Sequence, residues 1–112
     1  MTKTTTRTYS HYTRDATILL AGLIRAARKE RKITAQEVAD RAGISRGLLQ
    51  RIEKGNLRCE IGTVFEVATI VGVKLFDADQ TTMSLYINQN KDKLALLPKS
   101  VRKKSKAVYD EF

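Results

Sequence analysis

The stretch Thr34–Gly55 constrains the fold more than any other, because it holds two helix starts separated by a tight turn. Thr34 followed three residues later by Glu37 is a capping box, in which each side chain satisfies an otherwise unpaired backbone N–H. Val38, Ala39 and Ala42 then share one helical face until Gly43 interrupts the pattern. Glycine reaches the positive φ that ends a helix without the penalty a Cβ imposes. Ile44 can plug the corner, and Ser45 is a favoured N-cap for the next helix. That helix turns Leu48, Leu49 and Ile52 inward and leaves Arg46, Gly47, Gln50 and Arg51 facing outward. Gly55 stands where a C′ glycine would end it.

Two short helices joined by a Gly-containing turn make a helix-turn-helix, whose second helix can enter the DNA major groove. Thr34, Glu37, Ala39, Gly43, Ser45, Glu53 and Gly55 in this register resemble the motif of the XRE family, which includes Cro and the lambda-type phage repressors. The resemblance runs from about Leu20 to about Val73. It implies an all-α, lambda-repressor-like five-helix domain with a central helix-turn-helix. It further implies that Arg28, six residues before the capping Thr34, pairs with Glu53 late in the recognition helix. A planar guanidinium suits bidentate contact with a carboxylate. By the same resemblance, the loop before helix 4 and the start of that helix approach the DNA backbone. Asn56, Arg58 and Thr63 are then candidate phosphate contacts, alongside the N-caps Thr34 and Ser45. Glu60 is an unfavourable neighbour for a phosphate. In the groove, Arg46 and Arg51 could each hold guanine O6 and N7, Gln50 could read adenine or touch phosphate, and Gly47 would let the helix approach the bases closely.

At 112 residues the chain suffices for one small domain and falls short of two good cores. It carries 21 Lys and Arg against 12 Asp and Glu, a formal charge of +9. This excess suits a polyanionic partner without choosing between DNA, RNA and an anionic membrane. No apolar run approaches the roughly 20 residues that span a bilayer, so no membrane association is expected. The N-terminus Met-Thr-Lys-Thr-Thr-Thr-Arg lacks the apolar core of a signal peptide. A single cysteine, Cys59, cannot form an internal disulfide, so the expected setting is a reducing cytoplasm, at the nucleoid for a DNA-binding chain. One His and one Cys far apart in sequence make no metal site, and no phosphate loop or nucleophile motif is present. No catalytic residue, metal or cofactor is therefore expected; His11 reads as a solvated tail residue and Cys59 as a helix-flanking one.

In chain order, residues 1–12 read as a flexible basic arm, either reaching the DNA backbone or minor groove or without a role. Residues 13–97 read as the helix-turn-helix domain with its fifth helix, and residues 98–112 as a disordered basic tail. Helix 1 is expected from about Asp15 to Lys32, burying Leu20, Leu23, Ile24 and Ala27. Helix 4 is expected over about Ile61–Val71, with Val64, Val67, Ala68 and Val71 on its apolar face. Gly72–Asp77 reads as a helix end followed by a short extended piece. Asp79 caps a fifth helix that reaches about Leu97, where Pro98 stops it. Met83, Tyr86, Ile87, Leu94 and Leu97 give that helix a broken apolar stripe, which either closes the monomer core or forms a dimer face.

Three segments outside the motif carry a narrower likeness: Cys-Glu-Ile-Gly-Thr-Val-Phe-Glu-Val, Gly-Val-Lys-Leu-Phe-Asp-Ala-Asp and Leu-Ala-Leu-Leu-Pro-Lys-Ser-Val-Arg. Together they are similar to XRE regulators found beside HipA-type kinase toxins, the HipB-like antitoxins. That likeness implies a homodimer that represses its own operon at a palindromic double-stranded operator and binds a HipA-like toxin. Two alternatives remain open: an ordinary phage-type repressor with no toxin, and an interaction module whose DNA binding is weak. A nonspecific nucleic-acid binder has less support, because the aromatics are few and not arranged as stacking platforms.

Overall fold

The computed structural model describes residues 8–103, and in them the chain forms five α-helices, one 3-10 turn and no strand. They are α1 (His11–Glu30), α2 (Ala35–Ala42), α3 (Arg46–Glu53), α4 (Ile61–Val71) and α5 (Gln80–Leu96), with the 3-10 turn at Leu75–Asp77. Residues 1–7 of the expected arm and 104–112 of the expected tail lie outside the described residues.

Local capping sets most boundaries. The Ser10 hydroxyl accepts the Thr13 N–H at 3.2 Å, so α1 starts at His11, ahead of the expected Asp15. Two residues assigned to the arm are therefore helical. The far end comes at Glu30, because Lys32 turns left-handed at φ 57° and the Ile33 N–H closes on the Arg28 carbonyl at 3.1 Å. Thr34 and Glu37 form both halves of the capping box, at 3.1 and 3.3 Å. Gly43 leaves α2 at φ 68°, the Ile44 N–H bonds the Ala39 carbonyl at 3.0 Å, and Ser45 caps α3 through the Leu48 N–H at 3.0 Å. A Cβ built on Gly43 would meet nothing within 4 Å, so only its backbone conformation demands glycine.

Packing then selects which apolar residues are core. Ile24, Val38, Ala39, Leu49, Ile52, Val67, Ala68 and Val71 form one buried cluster shared by α1 to α4. Leu20, Ala27, Ile44 and Leu48 close its edge. Leu23 does not join the α1 stripe as expected; it is 49% exposed. The next residue along a helix lies about 100° round, and the stripe centred on Ile24 is too narrow to include it. The expected extended piece before Asp79 is also replaced. Phe76 and Asp77 both adopt positive φ, 57° and 51°, which no extended strand allows. The resulting turn sets the Phe76 ring edge-on to Phe65 of α4, with centroids 6.5 Å apart. The chain divides after Asp77 into two compact units, and α5 belongs to the second.

One polar contact ties the first unit together. The Arg28 Nε and Nη2 donate to the two Glu53 carboxylate oxygens at 2.6 and 3.0 Å, and Nη1 donates to the Ile33 carbonyl at 3.1 Å. The two side chains are only 13% and 9% exposed. Hydrogen bonding to the Glu53 carboxylate raises the already high Arg28 pKa, against the opposing pull of burial. A raised pKa stabilises below the ordinary arginine value and is lost only above it, so this contribution is constant through any working pH.

Two outcomes follow from these contacts. Arg28→Ala and Glu53→Ala should each lose about 3 kcal/mol in urea melts, because each strands a largely buried group. The double mutant should lose at least about 1 kcal/mol less than their sum; additive losses would show that the pair is not coupled. Gly43→Ala should cost about 1 kcal/mol by the same melts, from left-handed strain alone.

Candidate nucleic-acid interface

The candidate surface is built on α3, whose inner residues Leu49 and Ile52 are buried and so fix its rotation. With that face inward, Arg46, Gly47, Gln50 and Arg51 are all exposed on the outer side. Ser45 stands at the N-cap of α3 and Thr34 at the N-cap of α2, so one helix N-terminus opens the motif and the other follows its central turn. Both hydroxyls accept a backbone N–H, which leaves their helix starts ordered before any ligand arrives.

The loop after α3 is ordered in the same local way. The Asn56 carboxamide oxygen accepts the Arg58 N–H at 2.7 Å, leaving the Arg58 side chain exposed. Glu60 stands at the N-cap of α4 but forms no side-chain cap, so the first-turn N–H groups there have no side-chain acceptor. Thr63, in that first turn, is half-buried. A helix start of this kind offers donors to an anion, although the Glu60 carboxylate beside it works against one.

The structure also assembles a basic cleft that the sequence pattern did not single out. A cavity of about 290 Å³ is lined by Arg25, Arg28, Ala35, Arg46, Gln50, Glu53 and Lys54. Arg28 is committed to Glu53, whereas Arg25, Arg46 and Lys54 have no ion pair among the described residues. The carboxylate in the cleft is thus neutralised and three cations remain, next to the start of α2 and the exposed face of α3. One signal was available in sequence: Arg25 lies one helical turn before Arg28, so both share a face of α1. Lys54 carried none, since its place depends on how α3 ends.

A basic cleft beside an exposed helix face suits a polyanionic ligand. Comparison with known proteins agrees. Residues 24–77, a little under half of the chain, match the family model described as Helix-turn-helix. That family is one of DNA-binding regulatory domains, and the all-helical architecture is consistent with its lambda-repressor-like fold. The match supports placement in the XRE family and a role as a DNA-binding transcription regulator. No curated protein and no solved structure matches the chain. No helix among the described residues is long and apolar enough to cross a membrane.

Gly47 allows a test that separates reading from folding. A Cβ there would meet only the Ser45 Oγ, at 3.9 Å, so the free protein has room for alanine. Gly47→Ala should raise stability by about 0.5–1 kcal/mol, the usual helix preference. If the helix backbone approaches the bases at this point, the same change should weaken specific binding while random duplex binds as before. Fluorescence anisotropy on both duplexes, with parallel melts, reads the two effects separately.

Proposed function

We propose that the chain is a dimeric, sequence-specific transcriptional repressor that acts in the cytoplasm on DNA at the nucleoid. The observation that carries this is the outer face of α3: Arg46, Gly47, Gln50 and Arg51 are exposed together on a helix rotated into place by Leu49 and Ile52. Arg46 and Arg51 read base edges, with Gln50 beside them, and Gly47 permits close approach. Thr34, Ser45, Asn56, Arg58 and Thr63 take the backbone, joined by the free cations Arg25 and Lys54 of the cleft. One domain inserts one helix, so a palindromic operator with half-sites about one turn apart requires a two-fold pair of chains.

A narrower reading makes this repressor the antitoxin of a HipA-like kinase, controlling its own operon. Support comes from the resemblance around Cys59–Val67 and Leu94–Arg102, and from Leu96 and Val101, which are 88% and 97% exposed. Apolar side chains this bare suit a protein partner better than solvent. Co-purification with the product of a neighbouring kinase-like gene tests it, and failure to bind leaves the ordinary repressor.

Selecting bound duplexes from a random pool should yield a palindrome. On that operator, Arg51→Ala should cost about 1–3 kcal/mol and relax preference at one position per half-site. Arg25→Ala and Lys54→Ala should instead weaken operator and random duplex alike, each reducing the salt slope by about one. Unchanged operator affinity in the Arg46→Ala, Arg51→Ala double mutant would remove α3 from the reading role.

A further inference from the structure

Between Asp15 and Arg25, α1 runs through Ala16–Ile24 without a charge, and only Thr17 and Gly22 in that stretch are not apolar side chains. A helix that is apolar on every side is ordinarily covered on every side. Here one face alone is covered: Ala21 and Ile24 are buried, whereas Leu19 is 64% exposed and Leu23 49%. Tyr12, Ala16, Leu19, Leu23 and Ala26, all exposed, follow one another at spacings of four, three, four and three residues. That is the repeat of a helix pair, and it runs along the outside of α1. At about 100° per residue, the middle of this outer stripe lies roughly 140° round the helix from Arg25. A helix seated on the stripe therefore leaves the basic cleft open.

We propose that α1 pairs through this stripe with α1 of a second copy, in antiparallel orientation about a two-fold axis level with Ala21. Resting on the dimeric reading above, this names the surface and the register. Charge favours the orientation. Arg25, Lys29, Arg31 and Lys32 crowd the C-terminal end of α1 with Glu30 alone opposing them, since Arg28 is committed to Glu53. A parallel pair would stack two such ends, and the antiparallel pair separates them. Symmetry favours it too. The two-fold axis of an antiparallel pair lies across the helices, so the Arg25 flanks of both copies face one side, where a single duplex can meet them. In a parallel pair the axis runs along the helices and turns those flanks to opposite sides. Register follows from the stripe: Leu19 lies against Leu23 of the second copy and Ala16 against its Ala26. The same register brings Asp15 beside Lys29 of the second copy; neither has an ion pair within its own chain among the described residues. Two intermolecular ion pairs thus close the ends of an apolar strip. One pair of helices about 30 Å long buries too little to hold a permanent dimer, so the two copies exchange at micromolar concentration.

The test uses the full chain with Cys59→Ser and no DNA, so its outcome is independent of operator recognition. Ala16→Cys and Ala26→Cys variants, both at exposed positions, are oxidised singly and as an equimolar mixture. In the antiparallel pair like positions stand about 15 Å apart along the helices, too far for a disulfide, whereas unlike positions face each other. The expected result is a mixed disulfide between the two variants that exceeds either homodisulfide at least five-fold. Predominant homodisulfides would mean a parallel pair and overturn the proposal. Sedimentation equilibrium supplies the second readout: Leu19→Asp should lower dimer affinity at least ten-fold with unchanged circular dichroism. A dimer untouched by Leu19→Asp would overturn the proposal and leave the dimeric reading standing. A strict monomer before substitution would overturn both.

Discussion

The bidentate contact between Arg28 and Glu53 is the interaction on which the rest of the DNA-binding unit depends. It joins the last turn of α1 to the last residue of α3, and its third donor holds the Ile33 carbonyl just ahead of α2. Three helices are thereby referred to one planar cation. Hydrophobic packing alone leaves small rotations of a short helix cheap, since burial is non-directional. A fork of three hydrogen bonds with fixed geometry is directional, and α3 is only eight residues long. The pair also has an electrostatic effect. Glu53 lies in the same cleft as Arg46 and Gln50, and left unpaired it would repel an anion approaching that cleft.

Order at the interface is largely prepaid by local hydrogen bonds. Ser45, Thr34 and Asn56 each spend a side-chain oxygen on a backbone N–H, which holds two helix starts and one loop in place before DNA is present. A site ordered in advance loses less conformational entropy on binding. Flexibility is left to the long cations. Arg25, Arg46, Arg51, Lys54 and Arg58 are exposed, so in the proposed complex the rigid part of the surface would supply register and the cations attraction.

The second unit follows a different logic. α5 has a good cap, with Asp79 accepting the Thr82 N–H at 2.8 Å, yet buries none of its side chains. Its helix is specified locally and its apolar seam is unspent within the unit. The turn before it holds two successive residues at positive φ, neither of them glycine, a conformation that costs free energy wherever it occurs. Contact between the Phe65 and Phe76 rings offsets part of that cost.

How much of this was legible in sequence divides along physical lines. Features set within one turn of backbone were readable: the Thr34–Glu37 box, the Ser45 cap and the Asp79 start of α5 each join a side chain to an N–H three residues on, the Gly43 exit needs only a glycine, and the span of α4 follows its apolar spacing. The all-α class follows from them. Features set by packing were not. Leu23 has the spacing of a core residue, but the width of the α1 stripe depends on how closely the other helices approach, and that excluded it. Positive φ at Phe76 has no compositional signal, because an aromatic residue disfavours it, and the ring it meets, Phe65, belongs to another helix. The basic cleft combines residues from α1, α2 and the end of α3, whose convergence depends on the angles between helices. Sequence alone determined which local structures form and which residues face outward on the recognition helix. Tertiary structure decided which cations share a surface with it, because that depends on distances between segments far apart in the chain.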